Sequence, residues 1–185
     1  MGKINLNQDE KKELLRLAKN TIEKFLKFLE FKIEDTKLSS LKEKRYGVFV
    51  TLKKFGELRG CIGYVEPIKP LYELVQMAAY SAAFEDPRFP PLNKNELNFI
   101  KLEISVLGKP HQIEDISEIE IGKHGLIIEK GFNRGLLLPQ VATEYGWDVK
   151  EFLSHTCLKA GLSPDCWEDP NTKIYVFEGI VFEEE

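Results

Sequence analysis

One order of predicted elements occurs twice along this chain, and it constrains the fold more than any other feature. A strand, a turn that contains glycine and phenylalanine, and a second strand opened by Arg59-Gly60 are followed by a helix and another strand. The same order returns around Arg134-Gly135. The pattern predicts two strand-strand-helix-strand repeats, at 46–107 and 124–182, and therefore an α+β fold with two lobes.

Hydrophobic periodicity predicts the individual elements. The N-terminal helix is amphipathic, with a capping box of Asn7 and Glu10 and an apolar stripe of Leu14, Leu15, Ala18, Ile22, Phe25, Leu26 and Leu29. The predicted helices cover 8–30 and 70–84, a turn begun by Pro139, and a segment capped by Asp148 and Glu151. The predicted strands cover 45–53, 57–66, 99–107, 125–130, 134–138 and 173–182. The helix at 70–84 is slim because of its alanines, so it is expected to lie close against a sheet.

The composition is that of a soluble globular protein with a single domain, 1–185, of two fused lobes. The 185 residues carry a net charge of −4. No apolar run approaches the roughly 20 residues needed to span a bilayer, and the N-terminus is a charged helix, so a cytoplasmic location and no membrane association are expected. The first 60 residues carry a net charge of +6. Their lysines are interleaved with acids on a helix, so nucleic acid is not the expected partner.

The segment 58–63, Leu-Arg-Gly-Cys-Ile-Gly, places an arginine and a thiol two positions apart on one predicted strand. Alternation of strand side chains predicts a core face of Leu58, Ile62 and Tyr64 and an opposite face of Arg59, Cys61 and Gly63. A guanidinium beside a thiol favours the thiolate, which is the nucleophilic form. Arg59 and Cys61 are therefore candidate catalytic residues.

A second interpretation of the same segment is structural. Cys61 can be a small buried residue, Gly60 and Gly63 can mark a bulge, and Arg59 can pair with a structural acid. The two glycines also let a ligand or a second backbone approach closely, which makes them candidate binding residues. The sequence leaves both interpretations open.

The stretch 85–91, Glu-Asp-Pro-Arg-Phe-Pro-Pro, is predicted to be a stiff loop, because proline restricts the residue before it and lacks a donor. The loop would hold Glu85, Asp86 and Arg88 in fixed orientations near the hairpin. An acid there could orient Arg59, accept a proton or bind a cation. The alternative is an Asp-Arg tether that only fixes the loop.

The histidines differ in their predicted roles. His124, between Lys123 and Gly125 in a predicted tight loop, is the best candidate for proton transfer with Cys61. His111 and His155 are expected on the surface.

Three cysteines without CxxC spacing favour reduced thiols over a disulfide framework or a zinc site. Cys157 lies on the apolar stripe of its helix and is expected in the protein core, and Cys166 is expected to be structural. The sequence has no phosphate-binding GxxxxGK, no dinucleotide GxGxxG and no HExxH. No cofactor and no metal are therefore expected.

Four motifs occur in order along the chain: LRGCIG at 58–63, AFEDPRFPPL at 83–92, GKHG at 122–125 and LLLPQVA at 136–142. Together they resemble the AMMECR domain family, over a span from about Tyr46 to Glu178. The resemblance implies a cytosolic α+β domain of two lobes, found in archaea, bacteria and eukaryotes. It also implies Memo-like and radical-SAM proteins as partners, because family members are often encoded with them or fused to them.

Two functions are open at this point. The first is a thiol-dependent enzyme or modification factor that acts at a cleft between the lobes. Its catalytic residues would be Cys61, Arg59, His124, Glu85 and Asp86, and its binding residues would be Gly60, Gly63, Arg88 and Arg134. The second is a non-catalytic binding module whose rigid groove recognises a protein or RNA partner. The reactivity of the Cys61 thiol distinguishes the two.

Overall fold

The computed structural model describes residues 3–185, which form helices and antiparallel strands in an α+β fold, as expected. Two compact units contain them. The first unit is Ile4–Leu107 with Ile180–Glu185, and the second unit is Gly108–Gly179 with Lys3. Within residues 3–185, no helix is both long and apolar enough to cross a membrane.

Helix α1 (Gln8–Phe28) begins where the sequence predicts it. Asn7 Oδ1 accepts a hydrogen bond from Glu10 N at 2.8 Å, and Asn7 N donates to Glu10 Oε1 at 3.0 Å, so the capping box is confirmed. The helix ends two residues early, because Leu29 has a left-handed conformation with φ of 55°. Leu29 is exposed, and its predicted place in the apolar stripe is wrong. The buried part of the stripe includes Leu14, Ala18 and Ile22.

Three antiparallel strands form the sheet of the first unit, with β1 in the centre. They are β1 (Gly47–Lys54), β2 (Glu57–Tyr64) and β3 (Ile100–Leu107). Phe55-Gly56 connects β1 to β2, as predicted. A short 3-10 helix at Lys94–Phe99, which the sequence did not predict, leads into β3. The end of the chain also packs in this unit, where Glu184 N donates to Leu102 O at 3.1 Å.

Helix α2 (Leu71–Phe84) begins one residue later than predicted and packs on β1, β2 and α1. Its buried side chains include four small ones that are at most 2% exposed, namely Ala78, Ala79, Ala82 and Ala83. A Cβ atom added to Gly60 of β2 would lie 2.1 Å from the carbonyl oxygen of Ala82, so only glycine fits at this approach. The predicted packing of the alanine face on the sheet is confirmed.

A β-bulge interrupts the alternation of side chains in β2. Leu52 of β1 pairs with Gly60, whereas the next residue, Lys53, pairs with Leu58. Arg59 is therefore the extra residue, opposite no residue of β1. The bulge was one of the two interpretations that the glycines left open.

The bulge changes the face on which Leu58 lies. Because paired residues share a face, Leu58 lies on the same side of the sheet as Cys61, where it is exposed. The prediction that Leu58 enters the core is therefore wrong. Ile62 and Tyr64 lie beyond the bulge and pack against the core, as predicted.

The second unit has its own sheet and core. Its strands are β4 (His111–Ile113), β5 (His124–Lys130), β6 (Asn133–Leu137) and β7 (Lys173–Glu183), of which β4 was not predicted. β5 lies between β6 and β7, and β4 pairs with β7. Helices α3 (Pro139–Tyr145) and α4 (Val149–Lys159) pack on this sheet. β7 continues past Gly179 into the residues that belong to the first unit.

Helix α4 carries a disulfide that the sequence did not predict. Cys157 and Cys166 are bonded, with their Cα atoms 5.8 Å apart. The chain leaves α4 through Gly161, which has a positive φ of 78°, and returns to the helix at a short 3-10 turn, Cys166–Glu168. This reversal joins two cysteines without CxxC spacing, so the expectation of reduced thiols is wrong for both. Cys61 remains a free thiol.

The two units share a strand order. In each, the first strand of a hairpin lies between its hairpin partner and the last strand of the predicted repeat, as β2-β1-β3 and β6-β5-β7. Gly135 of β6 also abuts a helix, since an added Cβ would lie 2.4 Å from Ala160 N. These similarities support the duplication, which stays a prediction.

Candidate functional site around Cys61

Cys61 lies in β2, the terminal strand of the first unit's sheet. Its partner in β1 is Thr51. The Thr51 hydroxyl donates a hydrogen bond to Cys61 Sγ at 3.2 Å, and the thiol is half-buried. Thr51 was not identified from the sequence, although the hairpin register would have placed it opposite Cys61.

The main chain of Cys61 is bonded to the loop after α2. Cys61 N donates to Asp86 Oδ2 at 3.0 Å, and Arg88 Nη2 donates to Cys61 O at 3.2 Å. Asp86 and Arg88 also bind each other, with Arg88 Nη2 2.7 Å and Arg88 Nε 3.0 Å from the carboxylate. Leu92 N donates to Ala83 O at 2.9 Å and closes the loop. This arrangement matches the predicted Asp-Arg tether.

Arg59 binds a different acid, Glu96. Its Nε and Nη2 donate to the two carboxylate oxygens of Glu96 at 2.9 and 3.1 Å, and Nη2 also donates to Pro90 O at 2.8 Å. Lys54 Nζ lies 3.0 Å from the same carboxylate. The expected placement of the Arg59 guanidinium beside the Cys61 thiol is therefore wrong, and the alternative, a pair with a structural acid, is confirmed. Glu96 could have been noticed from its capping box with Asn93.

The two acids of this network are held in their charged forms. The Arg88 guanidinium, with the main-chain N–H groups of Cys61 and Arg88, keeps the pKa of Asp86 well below its ordinary value despite burial. Arg59 is the main cause that lowers the pKa of Glu96 to about 2. Carboxylates stabilised in this way are poor proton acceptors near neutral pH.

The Cys61 thiol, in contrast, is held in its uncharged form. Burial raises the pKa of Cys61 above its ordinary value, and the charges of Asp86 and Glu103 act in the same direction. The Thr51 hydrogen bond and the Arg88 guanidinium oppose them without reversing the shift. The expected environment that favours a thiolate is therefore absent around Cys61, because the nearby guanidinium belongs to Arg88 and its charge is shared with Asp86.

The other candidates of the first unit have structural contacts. Glu85 is exposed, and its carboxylate accepts a hydrogen bond from Ser81 Oγ at 2.9 Å. A Cβ atom added to Gly63 would lie 2.4 Å from the Phe49 ring, and Gly60 abuts Ala82. Protein atoms therefore fill the space that both glycines leave open.

His124 and Arg134 belong to the second unit. His124 is buried at the start of β5, and its Nδ1 accepts a hydrogen bond from Glu120 N at 3.0 Å, which leaves the proton on Nε2. Burial, with the nearby Lys123, lowers the pKa of His124. Arg134 Nε lies 3.1 Å from Glu129 Oε1. A shared role with Cys61 stays a prediction for both residues.

The remaining histidines are exposed, as predicted: His111 lies in β4, and His155 of α4 stacks on Trp147 with ring centroids 3.9 Å apart. Among residues 3–185, no cluster of three or more histidine, cysteine or acidic side chains could hold a metal ion.

A model of the AMMECR1 family matches residues 15–182 of the chain. The chain belongs to the AMMECR1 family. The resemblance carried by the four sequence motifs is thereby confirmed, and all the candidate residues of this AMMECR1 protein lie within the matched span.

Similar AMMECR1-family chains occur in archaea and bacteria. A protein of Methanothermobacter thermautotrophicus is 49% identical over 186 residues, which cover 97% of this chain and 97% of the relative. A protein of Aquifex aeolicus is 48% identical over 183 residues, covering 94% and 92%. The crystal structure of uncharacterized protein PH0010 from Pyrococcus horikoshii has the same fold, with a TM-score of 0.88, 46% identity, and coverage of 93% of this chain and 90% of that one.

Proposed function

We propose that this AMMECR1-family chain is a recognition module that binds a partner protein, and that Cys61 belongs to its framework. The observation that carries the proposal is the set of contacts made by the Asp86 carboxylate. It accepts hydrogen bonds from the main chain of Cys61 and from both the main chain and the side chain of Arg88. The acid that is bonded to the main chain of Cys61 therefore fixes a loop and is not free to accept a proton.

The thiol itself supports a framework role. Burial raises the pKa of Cys61. At neutral pH the side chain is therefore an uncharged thiol in most molecules, and the thiol is a weaker nucleophile than the thiolate. Arg59 forms an ion pair with Glu96. No histidine occurs between Ile4 and Leu107, so the first unit has no imidazole to serve as a base.

A thiol-dependent enzyme is the second candidate, and two observations favour it. The thiol is half-buried and not enclosed, and the Arg88 guanidinium acts to lower the pKa of Cys61. In that function His124 would serve as the base, and Arg134 would bind the substrate.

Memo-like and radical-SAM proteins are the proposed partners. The support for this choice is the association of AMMECR family members with these two classes of protein. A recognition module would bind one of these partner proteins and hold it against a shared substrate. An enzyme would modify that substrate itself.

Thiol reactivity tests the choice between module and enzyme. Iodoacetamide is added at neutral pH and intact mass is followed, since Cys61 is the free thiol of the chain. We expect native Cys61 to react more slowly than glutathione, and denatured Cys61 to react at a similar rate to glutathione. Native labelling faster than that of glutathione would contradict the proposal.

Partner binding is the second test. A Memo-like protein and a radical-SAM protein from the same genome are each titrated with the wild-type chain and with Cys61→Ser, using calorimetry. We expect the serine variant to bind within about threefold of the wild type, because serine preserves the shape of the side chain. An unchanged complex with a loss of partner modification would favour the enzyme.

A further inference from the structure

His124 is the buried histidine of the chain. It is 5% exposed, whereas His111 and His155 are exposed. It lies at the first position of β5, at the end of a turn that begins at Glu120. Buried polar groups need hydrogen-bond partners, so the contacts of this ring show what it does in the fold.

His124 binds both main-chain groups of Glu120. Glu120 N donates to His124 Nδ1 at 3.0 Å, and His124 N donates to Glu120 O at 3.0 Å. Lys123 N also donates to Glu120 O, at 3.2 Å. Gly122 has a positive φ of 89°, which lets the chain reverse within this short span. The pair of Glu120 and His124 is named the turn clasp.

The hydrogen bond to Nδ1 requires a neutral ring. An imidazolium carries a proton on each nitrogen and has no lone pair with which to accept a hydrogen bond. Protonation of His124 would therefore set Nδ1–H against the N–H of Glu120, and two buried donors that face each other are unfavourable. The turn clasp can be closed only while His124 is uncharged.

Three charged side chains act on the imidazole. Glu120 and Lys123 belong to the turn, and Glu178 of β7 is paired with His124 in the sheet. Lys123 Nζ lies 3.7 Å from Glu120 Oε2 and 3.5 Å from Glu178 Oε1, so its charge offsets part of theirs. Helix α3 reaches the turn through Thr143, which carries no charge. Burial is the largest effect and, with Lys123, lowers the pKa of His124 below its ordinary value of 6.5.

The turn clasp holds a segment that covers the core of the second unit. Ile119 and Ile121, on either side of Glu120, pack in that core. Ile119 is 6% exposed. Apart from a 3-10 turn at Ile116–Glu118, the segment between β4 and β5 consists of irregular structure. Its hold on the core therefore depends on side-chain packing and on the turn clasp.

We infer that His124 is a pH-sensitive switch: the neutral imidazole keeps the turn at 120–124 closed, and its protonation in mild acid opens the turn and loosens the segment over the core. The closed turn binds the proton less readily than the open turn. Closure is therefore fully favoured above pH 6.5 and is weakened as the pH falls below this value. This inference concerns the second unit and does not depend on the proposed recognition function.

Amide hydrogen exchange of Glu120, followed by NMR at about pH 7.5 and about pH 5.5, tests the switch. Ordinary carboxylates stay charged in this range, so histidine is the side chain that titrates. The protection factor, which corrects for the intrinsic effect of pH on exchange, should fall at least about threefold in the wild type. Long-range proton–nitrogen correlation spectra of the same sample should show the His124 proton on Nε2 at the higher pH.

Two substitutions separate the hydrogen-bond acceptor from the titrating ring. Asparagine places an amide oxygen near the position of Nδ1 and does not titrate, so His124→Asn should keep Glu120 protected at both pH values. The amide of glutamine reaches the position of Nε2 instead, so His124→Gln should give low protection at both. His111→Asn, at an exposed histidine, is the matched control and should behave like the wild type.

Each of four results would overturn the inference. Two of them need no variant: equal protection of Glu120 at both pH values in the wild type, and a His124 proton on Nδ1 at the higher pH. The other two are loss of protection in acid by His124→Asn, and protection of His124→Gln equal to that of the wild type. Because the first two are measured on the native chain, a variant that fails to fold does not remove the test.

Discussion

The main-chain N–H of Cys61 donates to the carboxylate of Asp86 at 3.0 Å, although 25 residues separate them in the chain. This contact, with the return bond from Arg88 to Cys61 O, attaches the loop at 85–91 to the terminal strand of the sheet. The loop that the sequence offers as a candidate catalytic loop thus connects α2 to β2 through side-chain hydrogen bonds, and a catalytic role for its acids stays a prediction.

Asp86→Asn should destabilise the first unit. The amide keeps the size of the carboxylate but loses the charge that holds Arg88, and its nitrogen is a donor where the native structure needs an acceptor. We expect the free energy of unfolding to fall by about 1 to 3 kcal/mol, measured by urea titration. Glu85→Gln, one residue earlier and exposed, should change it by less than about 0.5 kcal/mol. Equal effects of the two variants would count against the tether.

Glu96 should make the stability depend on pH in the acid range. Its pKa is lowered from 4.5 to about 2 in the folded protein, so the folded state binds this proton less readily than the unfolded state. The contribution is fully present above pH 4.5 and is lost as the pH falls towards about 2. In a urea titration series, the stability difference between wild type and Glu96→Gln should shrink across this window. A difference that is constant from neutral pH down to about 2 would exclude the proposed coupling.

Ala82→Leu should lower the free energy of unfolding of the first unit by about 1 to 3 kcal/mol, because the larger side chain overpacks the contact between α2 and the sheet. The carbonyl of Ala82 lies where a Cβ on Gly60 would be, so the helix cannot move away without losing contact with β2. Ser81→Leu, on the half-exposed neighbour, is the control and should have little effect. Thermal unfolding followed by circular dichroism measures both. A neutral Ala82→Leu would mean that the close approach of α2 is not required.

Reduction should destabilise the second unit through the Cys157–Cys166 disulfide. Opening the bond releases the unfolded chain from a short closed loop. The free energy of unfolding should then fall by about 2 to 3 kcal/mol. We expect a phosphine reductant to lower the melting temperature of the wild type and of Cys61→Ser equally, and to leave Cys166→Ser unchanged. A wild type that does not respond to the reductant would show that the bond adds no stability in solution.

The helices and most strands could be predicted from the sequence, because their signals are local. Asn7 with Glu10, and Asp148 with Glu151, carry capping boxes that the structure contains. The bulge at Arg59 could not be placed, since it depends on the register between β1 and β2, and a shift of one residue moves Leu58 to the other face.

The candidate site was only partly predictable for a related reason. The sequence identified Cys61, Asp86 and Arg88, which the structure joins. It did not identify Glu96, 37 residues from Arg59, whose carboxylate decides where that guanidinium lies. The disulfide was missed because the reversal after α4 is a tertiary feature.

The side chains of Asp86 and Arg88 bond to the N–H and C=O of Cys61, to which a further strand added to β2 would have to bond. A terminal strand with free N–H and C=O groups can template pairing with another chain, which is a common route to aggregation. Here a strand from a neighbouring molecule would have to displace the hydrogen bonds of Asp86 and Arg88 before it could bond to Cys61. The loop therefore blocks the addition of a strand at Cys61, whereas the rings of Phe55 and Phe99 near the β1–β2 turn remain exposed.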